Sequence, residues 1–330
     1  MATCAIRPSL LNKFTFRPVY VPPPGDSHRI ICRDPERNIM FSPEHNNGGA
    51  VIQSLNLGRT FQKQAASLAS GGYIRWCLGA EGFMLDRGGA VAQRLALSDA
   101  GSVFSVAPGT GIGVATTPET LFFGNNNYFI KQVSGALHRR PIGGSTWTAL
   151  YAVTFGVAYL RGLIYGFTAA SPAGIRVTSG MADSVTPLAA SDFPVDRVSD
   201  VVTQRLTVTG RNLDTLSVLS NQGTLFRSEN SGENWVEGAP IGVPEYNGRW
   251  PRLFPGLGRF GEEVILTIAD NGEAGALTVD RGETWRTFEL PEFLRYVGNW
   301  SDVEIAYVDG RWLGAFGNYG IWELIPDYRG

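Results

Sequence analysis

The carboxylate pairs are the residues of this chain whose types and spacing could perform acid–base chemistry. Glu262 and Glu263 are adjacent, and Asp34 precedes Glu36 with one residue between them. A glycosidase holds two carboxyl groups about 5 to 9 Å apart across a sugar, and nothing in the sequence holds either pair in that way. We interpret both pairs as parts of solvated turns and assign no catalytic residue.

Metal and nucleophile chemistry needs spacings that the chain does not show. His28, Cys32, His45 and His138 form no Cys-x-x-Cys or His-Glu-x-x-His pattern. No serine occupies a Gly-x-Ser-x-Gly elbow, and the glycine-rich run 109–113 lacks the lysine of a phosphate-binding loop. The sequence therefore predicts no metal, no cofactor and no enzymatic activity.

A run of arginines and aromatic residues is the remaining candidate for a binding site. Residues 249–254 read Arg-Trp-Pro-Arg-Leu-Phe, a pattern that could stack on single-stranded nucleic acid. The formal net charge of −2 at pH 7, however, gives no general attraction to nucleic acid or to an anionic membrane. We interpret the run as packing aromatics and interface arginines, and we expect neither nucleic acid nor a membrane as partner.

Composition indicates the class of element that must position any site. Of 330 residues, 41 are glycine, while 18% are charged and 11% aromatic. A disordered chain would be richer in charge and poorer in aromatics, and a helical bundle would be dominated by Ala, Glu, Lys and Leu. The 3 cysteines form no close pair, and the first residues lack the apolar centre of a signal peptide. We expect an all-β protein with many tight turns in a reducing compartment.

A repeated turn pattern supports this class. It reads small hydroxyl residue, any residue, Asn or Asp, any residue, Gly, two residues, then Trp or Phe. The Asn or Asp side chain is expected to cap N–H groups of its own turn, and Gly to adopt positive φ. The copies are Ser54, Asn56, Gly58, Thr60 and Phe61; Ser228, Asn230, Gly232 and Trp235; Thr278, Asp280, Gly282, Thr284 and Trp285; and a degenerate copy with Asp86 and Gly88.

The pattern resembles the Asp-box, or BNR, repeat family, whose motif S-x-D-x-G-x-x-W joins the third and fourth strands of β-propeller blades. The resemblance implies a β-propeller in which these residues are structural. A sialidase of this kind also needs an arginine triad opened by a Phe-Arg-Ile-Pro-like motif, an acid/base Asp and a Tyr–Glu nucleophile pair. Here Phe16-Arg17-Pro18 lacks the residue between Arg and Pro, so Arg17 is a poor match.

Strand-like runs around the boxes divide the chain into repeated units. We count seven blades, with six as the alternative because the second unit, residues 70–97, is short. The last unit contains only three strands, so we expect residues 14–21 to add the fourth and close the ring. In this division residues 1–27 form an N-terminal segment with the closing strand, residues 28–330 form the propeller, and the whole is one domain.

A rigid ring without catalytic residues is expected to bind other proteins through its loops. We favour a structural protein of a tailed-bacteriophage virion, at a tail or adaptor position, made in the host cytoplasm. The grounds are the missing enzyme motifs and secretion signal, the odd cysteine count and the scarcity of lysine, found only at Lys13, Lys63 and Lys131. The expected partners are other structural proteins in a symmetric oligomer, with a surface glycan as a further candidate.

Two other functions are open at this point. One is a glycan-binding or sialidase-like glycoside hydrolase propeller, which would need acidic and aromatic residues converging on the central pore. The other is an assembly factor similar to the photosystem II assembly propellers, for which a lumenal signal is expected and is not found. A cytoplasmic location is the alternative to the virion.

Overall fold

The structure is a computed structural model that describes residues 11–28, 31–34, 39–43, 51–63, 193, 206–242, 252–270, 272–297 and 303–328, together with the strands between residues 72 and 187. Within these residues the chain forms β-strands and one 3-10 helix, Glu292–Tyr296. The described strands make seven four-stranded antiparallel sheets. Each sheet is called a blade below and is numbered in chain order.

The first four blades use sixteen consecutive strands. They are β2 (Cys32–Asp34), β3 (Ile39–Pro43), β4 (Val51–Ser54) and β5 (Gln62–Lys63); β6 (Gly72–Leu78), β7 (Gly82–Arg87), β8 (Val91–Leu97) and β9 (Phe104–Val106); β10 (Phe122–Gly124), β11 (Tyr128–Val133), β12 (Ala136–Pro141) and β13 (Thr148–Ala152); and β14 (Phe155–Leu160), β15 (Leu163–Thr168), β16 (Gly174–Ser179) and β17 (Thr186–Pro187).

The last three blades contain the remaining strands and the first strand of the chain. They are β18 (Thr207–Thr209), β19 (Thr215–Leu219), β20 (Thr224–Ser228) and β21 (Val236–Pro240); β22 (Leu253–Leu257), β23 (Glu263–Ile268), β24 (Ala274–Thr278) and β25 (Arg286–Glu289); and β26 (Glu304–Val308), β27 (Arg311–Ala315) and β28 (Ile321–Tyr328) with β1 (Leu11–Tyr20).

The blades are arranged as a β-propeller, which confirms the predicted fold class. First strands of successive blades contact each other, as β2 does β6, β6 does β10, β18 does β22 and β22 does β26. The middle strands β19, β20 and β24 are buried at every residue, whereas the outer strand β21 is partly or fully exposed. A middle strand packs against a neighbouring blade on each face. Its side chains on both faces are therefore apolar, or polar with a hydrogen-bond partner.

Two blade boundaries in the sequence-based division are wrong. Phe104–Val106 pairs with β8 and is the fourth strand of the second blade, which is therefore not short. Thr148–Ala152, which the sequence-based division assigns to a fourth unit at residues 147–190, pairs with β12 and belongs to the third blade. Each strand is separated by six residues from the strand with which it pairs, and alternation within a short run does not reveal its pairing partner.

The N-terminal strand closes the ring as predicted. β1 pairs antiparallel with β28 from Leu11 opposite Tyr328 to Tyr20 opposite Ile321, and the order of this sheet is β1-β28-β27-β26. The strand begins at residue 11, three residues earlier than expected. The division of the chain between residues 27 and 28 stays a prediction.

An acidic residue on β28 links the closing strand to its blade. Glu323 lies opposite Arg17 in the register, accepts from Arg17 Nε at 3.1 Å and accepts from Arg311 Nε at 2.7 Å. The hydrogen bond from Arg311 lowers the pKa of Glu323 against the opposing effect of burial, and Arg17 lowers it further. Arg17, the poor match to a sialidase arginine, thus has a structural partner.

Aromatic packing joins the closing strand to the last two blades. The ring of Phe14 lies 5.5 Å from that of Trp312 on β27 and 5.9 Å from that of Phe288 on β25. Trp312 is only 1% exposed, and a Cβ built on Gly256 of β22 would overlap its indole ring. Glycine is therefore required at 256 so that the sixth blade can approach the seventh.

We predict that Glu323→Gln lowers the free energy of unfolding at pH 7 by about 1–3 kcal/mol, because one acceptor of two guanidinium groups becomes an uncharged amide. The native carboxyl has a lowered pKa, so its stabilisation is complete above the unfolded value of about 4.3 and disappears as the pH falls through the folded value. Urea unfolding of both proteins between pH 2 and 7 should show the difference shrinking below pH 4. An equal change in exposed Glu289→Gln would contradict the assignment.

We predict that Gly256→Ala destabilises the protein by about 1–3 kcal/mol, because the methyl group enters the space of the Trp312 ring. Trp312→Phe removes the part of the ring that would overlap. In the double variant the cost of the alanine should therefore fall by at least half. Thermal unfolding of the four proteins measures this coupling, and strictly additive effects would show that the two residues do not compete for space.

Candidate functional site

Three of the four predicted boxes form the same turn between the third and fourth strands of a blade. The N–H of each box glycine donates to the hydroxyl at the first position: Gly58 to Ser54 at 2.8 Å, Gly232 to Ser228 at 2.7 Å and Gly282 to Thr278 at 2.9 Å. The Oδ1 atom of Asn56, Asn230 or Asp280 accepts a backbone N–H four residues later: that of Thr60 at 3.0 Å, Asn234 at 2.9 Å or Thr284 at 2.9 Å.

Each box turn uses two consecutive left-handed residues, where the sequence argument provides only one. Gly58, Gly232 and Gly282 have φ of 78°, 90° and 87°, and the residues before them are also left-handed: Leu57 at 56°, Ser231 at 62° and Arg281 at 62°. The left-handed conformation costs a residue with a side chain roughly 1–2 kcal/mol of free energy. The hydrogen bonds accepted by the hydroxyl and by the Asn or Asp side chain of the box must offset that cost.

The box aromatics pack beneath the turns, and one connects two blades. Trp285 of the sixth blade donates its indole N–H to the carbonyl of Ala239 on β21 at 3.0 Å, and Ala239 donates to the carbonyl of Gly282 at 2.8 Å. A Cβ on Gly238 would lie 2.6 Å from that same carbonyl oxygen. Phe61 is 8% exposed, and Trp235 stands edge-on to Phe193 at 5.3 Å.

The degenerate fourth copy is not placed like the others. Asp86 lies inside β7, opposite Tyr73 and Ala92, and the connection that follows joins the second and third strands of its blade. In the three other boxes the Asn or Asp stands in the turn between the third and fourth strands. Gly88 lies outside the described residues. Asp-x-Gly spacing alone matches an ordinary hairpin turn, so the prediction for Asp86 as a box residue is wrong.

A cleft of about 600 Å³ opens between the fifth and sixth blades on the box face. It is bounded by the β18–β19 turn, the β22–β23 turn and the box residues of both blades. Turns that join first to second and third to fourth strands emerge at the same end of an antiparallel blade. The lining residues are Gly210, Arg211, Asn212, Asp214, Thr215, Arg227, Glu229, Phe260, Gly261, Glu262, Glu263, Val279 and Arg281.

The floor of the cleft is a buried ion pair between the two blades. Arg227 Nη1 lies 2.9 Å from Glu263 Oε2, and their side chains are 7% and 10% exposed. The other carboxylate oxygen of Glu263 accepts the N–H of Gly210 at 2.6 Å. The interpretation of Glu263 as part of a solvated turn is therefore wrong. Its neighbour Glu262 turns back on its own hairpin and accepts the N–H of Phe260 at 2.8 Å.

The rim of the cleft is exposed and partly apolar. Phe260 and Leu213, at the tips of neighbouring turns, are 74% and 59% exposed. Arg281 and Glu229, one from each box, form an exposed pair at 2.7 Å. This rim is the most accessible part of the candidate site.

The other candidates from the sequence are structural or lie outside the described residues. Arg252 donates to the carbonyl of Val303 at 2.8 Å and to Glu304 at 3.2 Å. Phe254 is buried. Arg252 and Phe254 therefore join the sixth and seventh blades. Glu36 and His45 are outside the described part of the chain. Within that part no group of three or more His, Cys, Asp or Glu residues could hold a metal ion, and no helix could span a membrane.

Comparison with known proteins supports the fold. No protein-family model and no curated protein sequence matches the chain. Among solved structures, YCF48 bound to D1 peptide matches with a TM-score of 0.61 and 13% identity over 97% of both chains. YCF48 from Cyanidioschyzon merolae has a TM-score of 0.58 and 13% identity, covering 95% of this chain and 98% of that one.

Two further solved structures share the fold. Hsv2 from Kluyveromyces lactis gives a TM-score of 0.55 with 10% identity, covering 88% of this chain and 90% of its own. The GH74 enzyme of Niastella koreensis gives 0.56 with 16% identity over 97% of this chain, but only 44% of the enzyme is covered. At these identities the likeness establishes a β-propeller and no more.

We predict that Asp280→Ala lowers the free energy of unfolding by about 0.5–2 kcal/mol, because the turn loses the acceptor of the Thr284 N–H. Burial raises the pKa of Asp280, but its bonds with Thr284 and Thr278 more than offset this and keep the pKa low. Asp280→Asn is the matched control, since Asn stands at the same place in the two other turns. Denaturant unfolding should rank the alanine variant below the asparagine variant, and equal stabilities would contradict the capping role.

Proposed function

We propose that this chain is a non-enzymatic β-propeller that binds another protein on the box face of the fifth and sixth blades. The observation that carries the proposal is the exposure of two apolar side chains on the turns that bound the cleft, Phe260 at 74%, which lines it, and Leu213 at 59%. Both side chains lie on tight turns held by rigid blades. Exposed apolar residues beside a polar cleft are typical of an interaction surface.

The state of the acidic residues favours binding over catalysis. A glycosidase acid must approach the leaving oxygen of its substrate with a proton to give. Glu263 instead uses both oxygens within the protein, one with Arg227 and one with the N–H of Gly210. Glu262 bonds to its own turn. Both oxygens of Glu263 and one oxygen of Glu262 thus accept hydrogen bonds within the protein, and the other oxygen of Glu262 is buried without a partner among the described residues.

The similarity to YCF48 supports a protein partner. That propeller is known with a bound D1 peptide, so a ring of this shape can hold a segment of another protein. We extend the proposal to a subunit or assembly factor of a larger complex, with the Asp-box family as its origin. A tail or adaptor position in a tailed-phage virion, in a symmetric oligomer, is the specific form we favour from the sequence. A surface glycan is the alternative ligand.

We predict that the double variant Leu213→Ser/Phe260→Ser loses the native partner while folding normally, because both side chains are exposed and only the contact surface becomes polar. Tagged protein purified from its native source is compared with the wild type by quantitative mass spectrometry. The partner should fall at least tenfold relative to the bait.

The matched control is Val21→Ser/Tyr296→Ser, which removes two similarly exposed apolar side chains, at 67% and 70%, away from the cleft. Tyr296 lies in the 3-10 helix between β25 and β26, at the face opposite the boxes. If this control loses the same partner and the cleft variant keeps it, the proposed surface is wrong. Turnover of any glycoside in a substrate panel by the purified chain would contradict the non-enzymatic assignment.

A further inference from the structure

One exposed turn residue has a backbone conformation that its residue type does not favour. Leu213, in the β18–β19 turn, has a φ of 53° and is 59% exposed. The left-handed region costs a residue with a side chain free energy, and Gly, Asn and Asp occupy it most readily. Glycine at position 213 would therefore suit the fold of the free chain better than leucine does.

The other described left-handed residues with a side chain have a structural reason for their conformation. Three of them hold one common position in the box turns, where the hydrogen bonds of the box stabilise the turn. The fourth is an aspartate, a residue type that tolerates this region. These four residues are Leu57, Ser231, Arg281 and Asp309.

Leu57 provides the comparison for Leu213, because both are left-handed leucines in turns on the box face. The side chain of Leu57 packs against the buried cluster that contains Met40 and Leu313, so part of its apolar surface leaves water when the chain folds. Leu213 has the same backbone cost, but most of its surface stays in water. The leucine at 213 therefore contributes little to the stability of the free chain.

The turn that carries Leu213 is fixed by atoms other than the leucine side chain. The N–H of Leu213 donates to the carbonyl of Gly210 at 3.0 Å, and the N–H of Gly210 donates to Glu263 of the sixth blade at 2.6 Å. Both sequence neighbours of Leu213, Asn212 and Asp214, line the cleft. The backbone thus holds one apolar side chain at the edge of the cleft in a fixed position.

We infer that Leu213 is the anchor residue of the proposed interface and enters an apolar pocket of the partner protein. The inference rests on the proposed function. An apolar side chain gains free energy by leaving water, and a few well-placed side chains carry most of the binding free energy of an interface. Backbone strain of this kind is concentrated at binding and active sites. Burial of Leu213 in the complex offsets the cost of its backbone conformation.

Thermal unfolding of the full-length chain tests whether Leu213 serves the fold. Leu213→Gly should raise the midpoint of unfolding by about 1–3 °C, because glycine adopts the φ of this turn without strain and little packing is lost. Leu57→Gly is the matched control. It loses packing together with the strain, so its midpoint should lie at or below that of the wild type. A lowered midpoint for Leu213→Gly would overturn the inference, since the leucine would then stabilise the free chain.

Recovery of the native partner tests whether Leu213 serves binding. With tagged protein from the native source, Leu213→Gly should lower the partner at least tenfold relative to the bait. Leu213→Met keeps an unbranched apolar side chain and should retain the partner, because an apolar pocket accepts leucine or methionine at similar cost. Retention of the partner with Leu213→Gly would overturn the inference, and so would an equal loss with Leu213→Met.

The double variant Leu213→Ser/Phe260→Ser separates this inference from the function on which it rests. If the partner is lost with the double variant and kept with Leu213→Gly, the surface is correct and Leu213 is not its anchor. If the double variant keeps the partner, the proposed function itself fails. Loss of the partner with both variants, together with a raised midpoint for Leu213→Gly, is the result we expect.

Discussion

Closure of the ring by β1 is the constraint on which the rest of the structure depends. The middle strands of a blade are buried on both faces, so each blade needs a neighbour on either side. Without β1, the three strands β26–β28 would leave an open edge and uncover Trp312 and Phe288, against which Phe14 packs. Glu323 holds β1 in the sheet through its charge, and Phe14 holds it by burying apolar surface. The propeller is therefore complete only when the first and last described strands of the chain are paired.

The box turns set how closely blades approach each other. Gly58 and Gly282 fit under leucines of the preceding blade, Leu313 and Leu225, where a Cβ would collide. The box of the sixth blade also exchanges two hydrogen bonds with Ala239 of the fifth. Because the turn is held by its own side chains, it presents a backbone carbonyl to the preceding blade at a fixed position. The same contacts fix the width of the cleft between these two blades.

The sequence predicted the fold well because the fold depends on local chemistry. Ser228, Asn230 and Gly232 encode a turn within five residues, and the Asp309-Gly310 turn that joins β26 to β27 is equally local. The blade boundaries at β9 and β13 were missed, since alternation within a short strand does not show whether it pairs with the strand before it or with the strand after it. The prediction for Asp86 failed for the opposite reason. Its local spacing matches a box, but it lies in the second strand of its blade, where no box stands. The buried pair of Arg227 and Glu263 had one sequence signal, an arginine inside an otherwise uncharged strand.

The candidate site shows how a scaffold of self-satisfied turns can still select a ligand. Most polar groups of the cleft are used within the protein, and this gives it a fixed shape. Selectivity then comes from the side chains exposed at the rim, such as the ring of Phe260. These are side chains at turn tips, where substitution costs the fold little. A propeller can in this way change its partner by altering turn tips while the boxes and the closing strand stay the same.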